Sequence, residues 1–256
     1  MKKSLFIGAL LALGMAATTS GASTLEEVKA RGTLNCGTST GVAGFSLPDA
    51  NNVYQGFDVA ICRGIAAAVL GDPMAVEFVP TTGKTRFTAL SSGEVDVLSR
   101  TTTWTFSRDV DLKMDFHGVN YYDGQGFMVP RSLGVTSAKD LDGATVCIQV
   151  GTTTELNLAD FFRVNGITYE PVPTEKSSES RSLYQAEACD VYTTDASGLA
   201  SARSTFADPS AHVILPEIVS KEPLGPVTRH GDNQWGDIVR WTLNALISAE
   251  ELGITK

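Results

Sequence analysis

Residues 101–108 read Thr-Thr-Thr-Trp-Thr-Phe-Ser-Arg and follow the apolar run Val95-Asp96-Val97-Leu98. Hydroxyls, an aromatic ring and one guanidinium in so short a stretch suit an anion. Arg108 offers a fixed fork of donors that matches a carboxylate in two parallel bonds. The hydroxyls of Thr101 and Thr103, with nearby backbone N–H groups, can fill the remaining lone pairs. The competing reading pairs Arg108 with Asp109 or Asp111 on the surface and puts Trp104 in the core. A second stretch, Gly151-Thr152-Thr153-Thr154-Glu155, stands where a strand passes into a helix. Helix N-termini carry unpaired N–H groups and partial positive charge, so they attract anions. Thr152 and Glu155 also fit a capping box, which needs no ligand. A cap uses only some of the free donors, so both readings can hold. Asp195 follows a third predicted strand and can accept from an ammonium group, or cap the helix starting near Ala196. Phe57 offers either a stacking surface or a core ring. An Arg and helix N–H groups for an anion, with an Asp for a cation, fit a zwitterion such as a free α-amino acid. That fit requires all three stretches to face one cleft.

The elements that would position them follow from periodicity. Residues 33–36 read as a strand and 58–70 as a helix, with Val59, Ile61, Cys62, Ile65, Val69 and Leu70 at three- and four-residue spacing. A strand at 76–79, a short helix at 85–92 and a strand at 95–99 follow. This order predicts a parallel sheet with right-handed crossovers. The pattern restarts with a strand at 144–150, a helix at 153–164, a strand at 167–172, a helix at 179–188 and a strand at 189–193. Joining stretches at 126–134 and 213–226 carry Pro and Gly. A helix over 233–250 closes the chain, its apolar face being Trp235, Ile238, Val239, Trp241, Leu243, Leu246 and Ile247. Two similar α/β lobes imply a cleft, and ligands of open α/β sheets bind beyond the carboxyl ends of the strands. Thr101, Thr103, Arg108, Thr152, Thr153, Thr194 and Asp195 all lie there.

Composition narrows the classes. The 256 residues carry 20 Lys+Arg against 29 Asp+Glu, a net charge of −9. Such acidity argues against a nucleic-acid partner, which wants clustered Lys and Arg. A hydrophobic fraction of 43% supports a packed globular protein of one or two domains. No HExxH, CxxC or GxGxxG motif is present, there is no P-loop, and His117, His212 and His230 are scattered. Neither a metal nor a cofactor is therefore expected. Lys2 and Lys3, the apolar stretch 5–17 and the small residues Ser20-Gly21-Ala22 read as an export signal over residues 1–22. The competing reading is a retained membrane anchor. Cleavage would start the mature chain near Ser23 and take the charge from −9 to −11. Cys36, Cys62, Cys147 and Cys189 make an even count, which in an exported protein favours two disulfides over buried free thiols. Three pairings are possible.

The segments Gly56-Phe57-Asp58-Val59, Arg86-Phe87-Thr88-Ala89-Leu90, Gly93 to Leu98, Arg100 to Asp109, Tyr121 to Val129, Gly151 to Leu158 and Cys189 to Asp195 spread over nearly the whole mature chain. They resemble the solute-binding proteins of polar amino-acid ABC importers, and among these the general L-amino-acid-binding periplasmic proteins. The resemblance implies a type II periplasmic-binding-protein fold: two α/β lobes joined by two hinge strands around a ligand cleft. Residues 23–128 with 221–256 would form lobe one and 129–220 lobe two. By position, Arg108 would hold the α-carboxylate, with Thr103, the backbone near Thr101 and Thr153 completing its shell; Thr101 and Thr103 would also help at the α-ammonium, and Thr152 belongs to the same ligand-binding set. Asp195 would hold the α-ammonium, Phe57 would flank the ligand side chain, and Gln149 and Thr194 would contact it. A cross-lobe disulfide would oppose hinge motion, so the implied pairs are Cys36–Cys62 and Cys147–Cys189. Gly41 stands where many relatives have an aromatic, which implies a roomier pocket and broad specificity. The subfamily also runs longer than this chain, which implies that the last part of lobe one is missing. The implied function is periplasmic capture of free L-amino acids by a monomer and delivery to the membrane permease of an ABC importer. Two rivals stand beside it: an enzyme on the same fold, such as a dehydratase of a cyclic amino-acid precursor, and a sensory binding module. An enzyme needs a cleft acid or base beyond the ligand-holding groups, and the sequence offers none.

Overall fold

The computed structural model describes residues 23–254. The predicted export signal lies outside the described residues. The strands are β1 (Leu34–Thr38), β2 (Leu47–Pro48), β3 (Tyr54–Gln55), β4 (Val76–Pro80), β5 (Val97–Leu98), β6 (Met114–Phe116), β7 (Tyr121–Asp123), β8 (Gln125–Pro130), β9 (Ala144–Gln149), β10 (Tyr169–Thr174), β11 (Val191–Asp195), β12 (His212–Ile214), β13 (Glu222–Leu224) and β14 (Val227–Arg229). The α-helices are α1 (Thr24–Arg31), α2 (Phe57–Leu70), α3 (Arg86–Ser92), α4 (Thr153–Asn165), α5 (Ser177–Gln185), α6 (Ala196–Ser204) and α7 (Asn233–Glu251).

Two five-stranded sheets organise these elements, in the orders β4-β1-β5-β14-β6 and β10-β9-β11-β8-β12. In the first, β1 runs parallel to β4 and β5, with Leu34 opposite Val76 and Cys36 opposite Val97. In the second, β9 runs parallel to β10 and β11, with Cys147 opposite both Val172 and Tyr192. These are the parallel units expected from the strand–helix alternation. Each sheet is nevertheless mixed. β14 lies antiparallel between β5 and β6, and β8 antiparallel between β11 and β12. Both are the first strands after the chain changes lobe. They enter from the opposite end without a crossover helix, so an antiparallel slot is the one open to them.

The crossings are β7 and β13, which pair antiparallel with Asp123 opposite Glu222 and Tyr121 opposite Leu224. Gln125–Pro130 pairs entirely within the second sheet, so the first crossing falls before Gln125 and not after residue 128. The stretch expected as a joining segment, 126–134, is largely this strand. Its residues Gln125 to Val129 are all buried, and sheet pairing satisfies backbone that a loop could not bury.

Helices cover each sheet. In lobe one α2 and α7 pack Ile61, Cys62, Ile65, Trp235, Val239 and Leu243 against Leu34, Cys36 and Val97. Asp232 caps the start of α7, its carboxylate accepting from Trp235 N at 3.1 Å. Of its predicted apolar face, Trp241 is 68% exposed. In lobe two α4 lays Leu158 and Phe162 on Phe127, Val146, Ile148 and Val191. The disulfides are Cys36–Cys62 and Cys147–Cys189, each inside one lobe, with Cα separations of 6.2 and 5.7 Å. No helix of the described residues is long and apolar enough to cross a membrane.

Candidate ligand-binding site

The C-terminal ends of β5, β9 and β11 converge on a cavity of about 40 Å³ between the lobes. Lobe one supplies Arg86, Arg100, Thr101 and Thr103, and lobe two Gln149, Thr152, Thr153, Thr154, Thr194 and Asp195. Seven of the residues expected from sequence are thus brought together. Arg108 stands beside this cavity, and Phe57 is elsewhere.

Arg108 is buried, and its Nη1 donates to Thr103 O at 2.7 Å. Arg108 makes no surface pair with Asp109 or Asp111; Asp109 Oδ2 instead accepts from Trp104 Nε1 at 2.6 Å. Trp104 itself is a partly exposed ring stacked on Phe116 at 5.4 Å, not a core residue. Burial holds the Arg108 guanidinium down at about 10, while Glu222 and Asp195 pull it up. Thr101 adopts φ 51°, a left-handed conformation rare for a β-branched residue. Such strain costs about 1–3 kcal/mol and collects at functional turns.

Thr152 caps α4 by accepting from Glu155 N at 3.1 Å. The reciprocal half of a capping box is absent, since Glu155 Oε2 accepts from Gly151 N at 2.8 Å. Asp195 occupies the N-cap position of α6, yet its side chain makes no capping bond. Part of its surface stays open, and burial pushes its carboxyl up to about 8, with Glu222 and Asp123 adding to the rise and Arg86 and Arg108 opposing it. A carboxylate free of local partners and crowded by other acids favours a cation beside it. Gln149 Nε2 donates to Glu175 O at 2.9 Å. Phe57, the first residue of α2, packs edge-on to Phe45 and Tyr121 at 6.2 and 6.4 Å and lines a neighbouring cavity. Gly56, just before it, adopts φ 123°, a backbone conformation that favours glycine.

Three charged residues join the site without having been picked out. Glu222 of β13 is buried and accepts from Thr103 Oγ1 at 2.5 Å, Thr153 Oγ1 at 2.8 Å, Asn157 Nδ2 at 2.8 Å and Ser220 Oγ at 2.7 Å. It ties the Thr103 loop of lobe one to α4 of lobe two. Arg86 is buried, and its Nη2 donates across the cleft to Gly151 O at 3.3 Å. Arg100 is buried beside Asp58, whose carboxyl burial raises to about 7. Nothing in the pattern around Lys221-Glu222-Pro223 marks a site. Arg86 and Arg100 carried a signal in principle, being charges inside otherwise apolar or hydroxyl-rich runs.

Further contacts close the lobes on each other: Lys84 Nζ to Glu175 Oε1 at 3.7 Å, and Thr40 Oγ1 to Ser177 Oγ at 3.4 Å. Two α/β lobes, two crossing strands and a charged cleft at the strand ends define a clamshell receptor. Residues 34–254 match the model of the bacterial extracellular solute-binding proteins, family 3. The chain belongs to that family. Among curated family members, the glutamate/glutamine/aspartate/asparagine-binding protein BztA of Rhodobacter capsulatus is 65% identical over all of this chain and 76% of its own length. The general L-amino acid-binding periplasmic protein AapJ of Rhizobium johnstonii is 57% identical over 97% of this chain and 72% of its own length. Among solved structures, an ABC transporter periplasmic binding protein from Brucella ovis with glutathione bound superposes with a TM-score of 0.88. It is 55% identical and covers 92% of this chain, which covers 74% of it. These relatives are named binding proteins and periplasmic proteins, not enzymes.

Proposed function

We propose that this solute-binding protein is exported, captures free L-amino acids between its lobes as a monomer, and hands them to the membrane permease of an ABC importer. The observation that carries the reading is the opposed charge of the cleft. A guanidinium-bearing loop of lobe one meets, from lobe two, a carboxylate left uncapped at the head of α6. In this reading Arg108, Thr101, Thr103 and the α4 N-terminus with Thr152 and Thr153 hold the α-carboxylate. Asp195 holds the α-ammonium, and Gln149 and Thr194 meet the side chain. The printed names of the relatives support amino acids as ligands. Glutathione supports them too, since its γ-glutamyl end presents a free α-ammonium and α-carboxylate.

Capture is closure. Ligand seated on one lobe gains the other lobe's contacts only when the hinge strands bring them together, so it shifts the population towards the closed form by its differential affinity. A micromolar site needs about 8.2 kcal/mol. A desolvated Arg–carboxylate pair, helix N–H groups and an Asp–ammonium pair supply interactions of that order. No catalytic residue and no cofactor enter this account: Asp195 serves the ammonium, and His117 is buried in lobe one against Thr228 at 2.7 Å, remote from the strand-end cavity. Calorimetric titration of the mature chain with the common L-amino acids tests the reading, beside Arg108→Ala. Binding of several amino acids, lost in the variant, supports it. A folded protein that binds none contradicts it.

A further inference from the structure

The loop after β4 in lobe one and the loop after β9 in lobe two meet across the cleft through two glycines. Gly83 lies between Pro80, the end of β4, and Arg86, the start of α3. Gly151 lies between Gln149, the end of β9, and Thr153, the start of α4. A methyl group on Gly83 would stand 2.5 Å from Val150 O, 3.1 Å from Thr152 Cγ2 and 3.2 Å from Gly151 O. A methyl group on Gly151 would stand 2.9 Å from both Gly83 C and Lys84 N. Apart from Thr152 Cγ2 these are backbone atoms, which no rotamer change moves aside. Gly151 adopts φ 73°, where glycine also serves its own turn. Gly83 is buried and lies outside the left-handed region, and the three atoms nearest its missing side chain all belong to lobe two. Its lack of a side chain is therefore explained by the opposite lobe and not by its own chain.

Other contacts across this rim are of a different kind. Lys84 Nζ reaches Glu175 Oε1 at 3.7 Å, and Thr40 Oγ1 reaches Ser177 Oγ at 3.4 Å. These are side chains, which can keep such contacts over a range of lobe angles. Backbone against backbone has no such latitude, because close-packed atoms repel steeply once pressed together. Neither glycine lines the strand-end cavity, but Thr152 and Thr153, which follow Gly151, both do. Thr153 Oγ1 lies 3.4 Å from Thr103 Oγ1 of lobe one, and Arg86 Nη2 lies 3.3 Å from Gly151 O. We propose that Gly83 and Gly151 form the stop at which the closing lobes halt, and that these positioning residues set the affinity of the site without touching the ligand. This rests on the reading of the cleft as an amino-acid site. A side chain at Gly83 halts the lobes early, by about 1 Å at Val150 O. The α4 N-terminus and Arg108 then cannot both reach one carboxylate at hydrogen-bonding distance. The stop acts on the frame and not on the ligand side chain, so every amino acid loses alike.

The test is calorimetry and X-ray scattering on the wild type, Gly83→Ala and Gly151→Asn, with L-glutamine and L-glutamate as titrants. Asparagine tolerates the left-handed region, so Gly151→Asn probes the contact and not the turn. Both variants are expected to melt close to the wild type without ligand. Each is expected to lose at least about tenfold in affinity for both amino acids while keeping the ratio of the two. With saturating ligand each should retain a larger radius of gyration than the wild type. If one variant does not fold, the other decides alone. Failure of both to fold overturns the proposal, because the glycines would then serve their own lobes. Wild-type affinity and compactness in a folded variant overturn it, and so does a loss confined to one amino acid. A folded wild type that binds neither amino acid removes the amino-acid reading and the proposal with it. A wild type that binds both, matched by its folded variants, removes the proposal alone.

Discussion

Glu222 and Thr153 come from different parts of the clamshell and meet at 2.8 Å, the Thr153 hydroxyl donating to Glu222 Oε2. One belongs to the hinge strand β13, the other is the first residue of α4, and Thr103 of lobe one donates to the same oxygen. The hinge thus holds the lobe-two helix and the lobe-one loop to one atom.

Removing that atom should loosen the closed state. Glu222→Ala leaves four donors without their acceptor, and hydrogen bonds to a charged group contribute about 1.5–3 kcal/mol each. Amino-acid affinity is expected to fall by at least about tenfold. X-ray scattering with saturating ligand is expected to show a larger radius of gyration than the wild type. Wild-type affinity and compactness would mean that Glu222 is only a local cap.

The Asp195 carboxyl gives binding a pH dependence. Its pKa in the closed fold is raised to about 8, chiefly by burial and then by Glu222 and Asp123. An ammonium beside it favours the carboxylate, so binding between about pH 6 and about pH 8 should release a proton. Affinity then rises with pH across that window. Without ligand the sign for stability is opposite. A raised carboxyl pKa stabilises the fold most below the ordinary carboxylate range, and that contribution is lost as pH climbs to about 7 for Asp58 and about 8 for Asp195. Calorimetry in two buffers of different ionisation enthalpy counts the released proton, and Asp195→Asn should abolish it.

The disulfides should act on stability and leave the hinge free. Cys147 and Cys189 are 42 residues apart, and closing such a loop in the unfolded chain is worth about 2–4 kcal/mol. Urea unfolding of Cys147→Ser/Cys189→Ser should show a loss of that size. The ligand-induced change in scattering radius should persist, because neither bond links the lobes. A lost closure response would contradict this.

Thr101 stores strain that glycine can release. At φ 51° a β-branched residue pays for the left-handed region, and glycine does not. Thr101→Gly is expected to stabilise the ligand-free protein by about 1 kcal/mol, or roughly 2–4 °C in melting temperature, while weakening binding through the lost hydroxyl. A lower melting temperature would show that the Thr101 side chain contributes more than its backbone costs.

Much of this arrangement was legible in the residues. The strand–helix alternation marked both parallel units, and the strand ends carried Thr101, Thr103, Thr152, Thr153, Thr194 and Asp195 onto one cavity. The antiparallel strands were not legible. β8 and β14 are placed by where the chain re-enters each lobe, which periodicity does not encode. Trp241 fits an apolar stripe by spacing, but in lobe one only the face bearing Trp235, Val239 and Leu243 is covered. Phe57 sits at the right element but on the side turned towards Phe45 and Tyr121. Glu222 was hidden because a single glutamate in a Pro-rich crossing looks like solvated linker. Its value comes from four donors that are distant in sequence.

The most direct test of the central claim is to split the zwitterion. Calorimetric titration should compare L-glutamine with the same molecule lacking its α-carboxylate and with the one lacking its α-amino group. If Arg108 and Asp195 clamp the two ends, L-glutamine binds and each truncated analogue loses at least about tenfold, an ion-pair's worth of affinity. Arg108→Ala should then cost nothing further with the decarboxylated analogue, nor Asp195→Asn with the deaminated one. Truncated analogues that bind as tightly as L-glutamine would contradict the account.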